Sequence, residues 1–180
     1  DGKDHAHDYP RDIAATSDGG CVVVGTTEAP QSGADPLVAR YGPDGGLQWL
    51  YDKGSNGGDS ARAVVLDPAG NIYVTGSTFS PKNGFDVLAL KLRPNGHRAW
   101  ELGWDGGEGR GDGGHAIALG AQGRVLVAAH SYLWWTGNDI TTLVVDPAGG
   151  KVLASGYFDG PQGNHDAPLA IAADPGGGFF

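Results

Sequence analysis

Three stretches of the chain hold residue types whose spacing could do chemistry. The first is Tyr132-Leu133-Trp134-Trp135, inside the run His130 to Gly137, with Phe79 in a comparable run from Ser77 to Gly84. Aromatic side chains on an exposed loop anchor a protein partner or stack on a sugar ring. The alternative folds the tryptophan pair back over the end of its own sheet. The second stretch is Asp105-Gly106-Gly107-Glu108-Gly109-Arg110-Gly111-Asp112. Asp105, Glu108 and Asp112 are candidate ligands for Ca²⁺, which takes about six to eight oxygens on a flexible loop. The alternating aspartates of a dedicated calcium loop are missing there, and Arg110-Gly111-Asp112 is too short a match to an adhesion tripeptide to carry weight. The third stretch gathers Asp4, His5, His7 and Asp8. On a strand, His5 and His7 would share a face and suit zinc or copper, but no third ligand is assignable and a solvated polar segment is the simpler reading. No metal is assigned on these grounds, and calcium is the one cofactor kept as a candidate.

Other chemistries find no residues to carry them. The sequence has no G-x-S-x-G elbow, phosphate-cradling loop, HExxH or cysteine pair. Its only glutamates are Glu28, Glu101 and Glu108, and no acid pair can be set across a pocket, so no catalytic residue is assigned. Twelve basic residues against 21 acidic ones give a formal charge of −9 with no basic cluster. That balance argues against nucleic acid and anionic membrane as partners. Cys21, the single cysteine, sits in the apolar run Cys21-Val22-Val23-Val24 and reads as a buried, inert thiol. No apolar window is long enough to span a membrane as a helix. The sequence begins at Asp1 and contains no methionine, which points to processing or truncation.

The elements that must position these stretches are short strands. In Asp59–Thr78, Asp67-Pro68-Ala69-Gly70 has the residues of a type I turn, with Asp first, Pro second and Gly fourth. Ala63-Val64-Val65-Leu66 precedes it and Ile72-Tyr73-Val74-Thr75 follows, both too short for a typical helix and rich in strand formers. The unit recurs. Asp8, Asp59, Asp112 and Asp166 are 51, 53 and 54 residues apart, each followed five residues later by Ile13, Val64, Ile117 and Ile171. Asp35, Asp86 and Asp139 open further strands that end at Pro43-Asp44-Gly45, Pro94-Asn95-Gly96 and Pro147-Ala148-Gly149. A fourth strand then carries Trp49, Trp100 and Leu153 at the matching place. Four strands per unit of about fifty residues, with no helical stretch, predict an all-β fold: a β-propeller of four-stranded antiparallel blades.

The pattern from Asp59 through Asp67-Pro68-Ala69-Gly70-Asn71-Ile72-Tyr73-Val74-Thr75-Gly76 to Asp86-Val87-Leu88-Ala89-Leu90-Lys91 and Trp100 resembles the bacterial SBBP-type β-propeller repeat. The resemblance covers essentially all of the chain and is looser in the third unit, where Ala128-Ala129 replaces Thr75-Gly76. It implies a secreted or surface-attached ring and supplies no catalytic set to transfer. One propeller domain or fragment is expected over 1–180, with units at about 9–58, 59–111 and 112–164 and a partial blade at 165–180, an incomplete ring that belongs to a longer chain or, as the less favoured alternative, is closed by several copies.

In such a blade the tight turns share one face of the ring, and the connections between strands two and three and between blades share the other. The second set is longer and more variable, as where loops on a rigid scaffold carry function. The first strands, read as Asp12-Ile13-Ala14-Ala15, Ala63-Val64-Val65-Leu66 and Ala116-Ile117-Ala118-Leu119, are nearly all apolar, which argues against catalysis at the central channel. The expected function is a non-catalytic scaffold or protein-interaction module, an accessory subunit of an extracellular or cell-envelope assembly. Tyr132, Leu133, Trp134, Trp135 and Phe79 are its candidate partner-binding residues. Carbohydrate or small-ligand binding is the first alternative, and a hydrolase or lyase site elsewhere in the ring the second.

Overall fold

A computed structural model describes residues 7–29, 33–53, 57–107, 111–134, 136–161 and 165–174. The described strands form three four-stranded antiparallel sheets. The first holds β1 (Asp8–Ala15), β2 (Cys21–Ala29), β3 (Gly33–Tyr41) and β4 (Leu47–Asp52). The second holds β5 (Ser60–Leu66), β6 (Ile72–Ser80), β7 (Gly84–Leu92) and β8 (Arg98–Trp104). The third holds β9 (Gly113–Leu119), β10 (Val125–Leu133), β11 (Gly137–Val145) and β12 (Val152–Phe158). Neighbours in sequence are neighbours in each sheet, the meander of a propeller blade. The only described helix is the 3₁₀ turn Ala121–Gly123, so the all-β expectation holds. The three blades form an arc that does not close into a ring. Of the expected partial blade, residues 165–174 run without a strand apart from a bridge at Ala173, and 175–180 lie outside the described residues.

The turn chemistry explains the hairpins. The Gly70 amide donates to the Asp67 carbonyl at 2.9 Å, closing the turn, and Gly70 takes the left-handed φ of +78° that its missing Cβ permits. The Asp67 carboxylate accepts from the amides of Ala69 and Asn71, the Asn71 side chain and the Tyr73 hydroxyl. Burial opposes its charge, but these donors outweigh it and hold its pKa below the usual range.

Packing is between blades. Val22, Val24 and Val38 of the first blade meet Ala61, Val64, Ile72, Val74, Leu88, Leu90 and Leu92 of the second. The opposite face of the second blade, with Tyr73, Val87, Ala89 and Trp100, meets Val125, Val127, Ala129, Leu143 and Val145 of the third. Strands β6 and β7 are therefore buried on both faces, which is why they read as continuous apolar runs rather than alternating ones. Each fully buried Val or Leu contributes about 1.5–3 kcal/mol by leaving water.

Two polar clasps repeat at the junctions. The amides of Asp59, Asp112 and Asp166 donate to the carbonyls of Ala34, Phe85 and Asn138 in the preceding blade, at 2.8, 2.7 and 2.6 Å. On the tight-turn face, Trp49 Nε1 donates to the Pro94 carbonyl at 3.1 Å and Trp100 Nε1 to the Pro147 carbonyl at 3.0 Å. Arg40 and Lys91 donate to the same two carbonyls. The indoles lie against Gly96 and Gly150, where a Cβ would come within 2.9 and 2.8 Å of the rings.

The third blade departs from this pattern, and the matching place given to Leu153 needs correction. Trp49 pairs with Arg40 and Trp100 with Lys91, whereas Val144 pairs with Ala154. Leu153 falls instead at the bulge. The cause is the turn before β12, which is one residue longer: Gly150 donates to Asp146 four residues back, where Gly96 donates to Arg93 three back. The third blade thus has neither the indole nor the cation of the clasp.

Candidate functional site

The first strands share a feature at one end. In β1 the pairing with β2 jumps from Pro10 to Asp12, in β5 from Ala61 to Ala63, and in β9 from Gly114 to Ala116. The residues left unpaired are Arg11, Arg62 and His115, at one position of the repeat. A bulge of this kind inserts an extra residue and re-aims its side chain. Here three successive bulges present basic residues from the inner edges of the blades, since β1 contacts β5 and β5 contacts β9. In the first two blades a glycine lies opposite the bulge and lets the strands approach closely, whereas the third has Ala129 there and a glycine, Gly114, on the bulged strand itself. A Cβ on Gly25 would sit 2.2 Å from the Tyr9 carbonyl oxygen, and one on Gly76 would sit 1.9 Å from that of Ser60.

Arg11 and Arg62 line two adjoining clefts on the loop face, and His115 bonds to the wall residue His130. One, of 310 Å³, lies between the first two blades and is walled by Tyr9, Arg11, Thr26, Glu28, Ser60 and Arg62. The other, of 340 Å³, lies between the second and third and brings Arg62, Ser77 and Phe85 together with Asp112 and His130. Arg62 and Ser60 belong to both, so the clefts form one polar groove across two blade junctions.

The groove's polar groups pair like with like. The Ser60 and Ser77 hydroxyls lie 2.8 Å apart, and His115 Nε2 lies 2.7 Å from His130 Nδ1. Burial, together with His130 and Arg62, pushes His115 down to about 4, and burial with Arg62 lowers His130 as well. Both rings are therefore neutral at pH 7, one N–H donating to the other ring's lone pair. A serine nucleophile needs its base within hydrogen-bond reach, and here serine bonds serine while histidine bonds histidine. Arg11 and Arg62 bring two permanent positive charges to the groove, set against the carboxylates of Glu28 and Asp112 in the same walls, and a guanidinium suits an anionic group.

Of the aromatic candidates, Phe79 adjoins this groove, and the candidates do not form a single patch among the described residues. Phe79 is 42% exposed and meets Phe85 edge-on with ring centres 5.4 Å apart, so the pair extends from the wall of the larger cleft. Trp134 is 69% exposed at the end of β10, Tyr132 and Leu133 are half-buried, and Trp135 lies outside the described residues. The Tyr132 amide donates to Asp112 Oδ1.

Of the acidic candidates, Asp105 and Asp112 do converge, and the third carboxylate is Asp86, since Glu108 lies outside the described residues. Asp112 accepts from the amides of Gly106 and Tyr132, yet burial, with a contribution from Asp105, raises it to about 6. Burial likewise raises Asp86. His5 also lies outside the described residues. His7 is exposed with its ring 6.2 Å from that of Tyr9, and its carbonyl accepts from the Glu28 amide.

Arg11, Arg62 and His115 were passed over by a reading of the first strands that began one residue later, at Asp12, Ala63 and Ala116. The available signal was the repeat itself, because basic residues recur at 51 and 53 residues just before each apolar run. What identifies their role is the bulge, which only strand pairing shows.

Sheet meander, blade-on-blade core and repeated junction clasps define a protein built on the β-propeller plan. Residues 45–81, spanning the outer strand of the first blade, the connection and the first hairpin of the second, match the family described as SBBP, a beta-propeller repeat. That stretch of the chain carries the SBBP repeat. No curated protein matches the chain.

Proposed function

We propose that the protein is a non-catalytic interaction module that uses its loop face to hold an acidic segment of a partner protein, in an extracellular or cell-envelope assembly. The observation that carries this reading is the groove in which successive bulges set Arg11 and Arg62 between aromatic walls. Guanidinium groups bind carboxylates through paired N–H donors, and Tyr9 and Phe85 supply apolar contact beside them. On a chain of charge −9, the two guanidinium groups concentrate attraction for an acidic segment at one place, while the excess of carboxylates repels it elsewhere. The Ser–Ser and His–His pairing leaves no relay for hydrolysis, which favours binding over catalysis.

Calorimetric titration with a glutamate-rich decapeptide tests the proposal, with a lysine-rich decapeptide and an oligosaccharide as comparators. Binding of the acidic peptide is expected to weaken as salt rises. Replacing Arg62 by Gln should reduce it at least tenfold, since this side chain serves both clefts. Unchanged binding in an R11Q/R62Q double variant refutes the assignment, and preference for the oligosaccharide moves it to sugar recognition.

A further inference from the structure

The three blade junctions solve one electrostatic problem in two ways. At the second junction Asp86, which follows the first residues of β7, meets Asp105 after β8 and Asp112 before β9. One carboxylate oxygen from each lies within 4.8 Å of the others. The same arrangement recurs 53 or 54 residues later as Asp139, Asp159 and Asp166. Asp86 and Asp139 are 6% and 1% exposed, and Oδ1 of each is buried with no hydrogen-bond partner. At the first junction, where Asp35 and Asp59 hold the corresponding positions, a cation is built in. Lys53 Nζ lies 2.9 Å from Asp59 Oδ2 and 2.8 Å from both Glu101 Oε1 and Thr78 Oγ1.

Three carboxylates converging with no basic side chain bridging them among the described residues strongly repel one another, and a buried oxygen with no donor forfeits its hydration as well. The remaining bonds leave room for a ligand. Asp112 accepts from Gly106 and Tyr132, Asp105 from Gly107, Asp139 from Thr136 and Asp166 from Gly160, while Oδ1 of Asp86 and of Asp139 accepts from nothing. Oxygens on opposite sides of one Ca²⁺ lie at most about 5 Å apart, twice the Ca–O distance, so the observed spread fits a single coordination sphere. An all-carboxylate set selects a hard divalent cation over zinc or copper. We propose that Asp86/Asp105/Asp112 and Asp139/Asp159/Asp166 are two equivalent Ca²⁺ sites that lock the loop face across successive junctions, in the role that Lys53 fills at the first.

Calorimetry and tryptophan-sensitised Tb³⁺ luminescence on EDTA-treated protein test this. Two Ca²⁺ ions per chain are expected, with dissociation constants of about 10⁻⁵–10⁻³ M. Saturating Ca²⁺ should raise the melting temperature by about 5 °C. D86N and D139N should each bind one ion, and the double variant none. Asp105→Lys supplies at the second junction the cation already present at the first. It should bind one ion and melt higher than the parent in EDTA, so the test survives even if an Asn variant folds poorly. Absence of binding heat at 5 mM CaCl₂ (about fivefold above the weakest constant expected), together with absence of sensitised Tb³⁺ luminescence in the calcium-free protein, overturns the proposal. So does a stoichiometry of two that persists in the D86N/D139N protein.

Discussion

Replacing Gly96 by alanine should cost far more than the same change at Gly45, although both glycines close the corresponding turn and have nearly the same backbone. Gly45 has φ +77° and Gly96 φ +82°. Alanine in that left-handed region costs roughly 1–2 kcal/mol, offset by about 0.4–1 kcal/mol from the stiffer unfolded chain. At Gly45 nothing lies within 4 Å of the added Cβ, so the net loss should stay near 1 kcal/mol. At Gly96 the Cβ would meet Trp49 at 2.9 Å, closer than carbon atoms approach. Either the blades separate or the indole moves. Overpacking costs about 1–3 kcal/mol, and loss of the Trp49–Pro94 hydrogen bond about 1 kcal/mol more. Gly96→Ala should therefore exceed Gly45→Ala by about 2–4 kcal/mol. Urea unfolding followed by tryptophan fluorescence reads this as a midpoint lower by about 1–2 M, for a slope near 2 kcal/mol/M. In a Trp49→Ala background the excess should vanish. Equal losses at the two glycines, or additivity of W49A and G96A, would refute the account of the indole as the pin between blades.

Two further perturbations test the polar junctions. Lys53 is 18% exposed and holds Asp59 and Glu101 together; burial works against its charge, but the bonds to these carboxylates keep it above its usual pKa. Lys53→Met should destabilise by about 2–4 kcal/mol in urea unfolding, because it strands the buried Asp59, and a loss below about 0.5 kcal/mol would show the pair to be idle. The His115–His130 pair gives a pH dependence of definite sign. His115 falls from 6.5 unfolded to about 4 folded, so the unfolded chain takes up the proton first as acid is added. Stability from this pair is fully present above pH 6.5 and declines towards pH 4. A shift of that size corresponds to at most about 3 kcal/mol, reduced to about 1–2 by the partial exposure of the ring. His115→Gln should flatten the melting profile between pH 4 and 6.5, and an unchanged profile would place the acid sensitivity elsewhere.

Much of the architecture could be read locally. Asp67-Pro68-Ala69-Gly70 forms its turn through bonds among near neighbours, and the apolar runs around it become strands whatever lies beyond them. Recurrence at 51 and 53 residues then implies one blade plan repeated, because like sequences meet like neighbours. The site was less legible. A bulge depends on how two strands pair, so Arg11, Arg62 and His115 looked like ordinary residues at the edge of an apolar run. Leu153 was placed by counting from the previous blade, and one added turn residue moved Ala154 into its position. Asp105 and Asp112 could be suspected from their own loop, but Asp86 is 19 residues before Asp105 and is brought to it only by the pairing of β7 with β8. The amino-acid order alone determined the repeat, the turns and the strands, since these rest on short-range backbone preferences and on short runs of strand-forming residues. Which side chains converge across the junctions was decided only by strand register and blade-on-blade packing, which sum contacts between residues far apart in the chain.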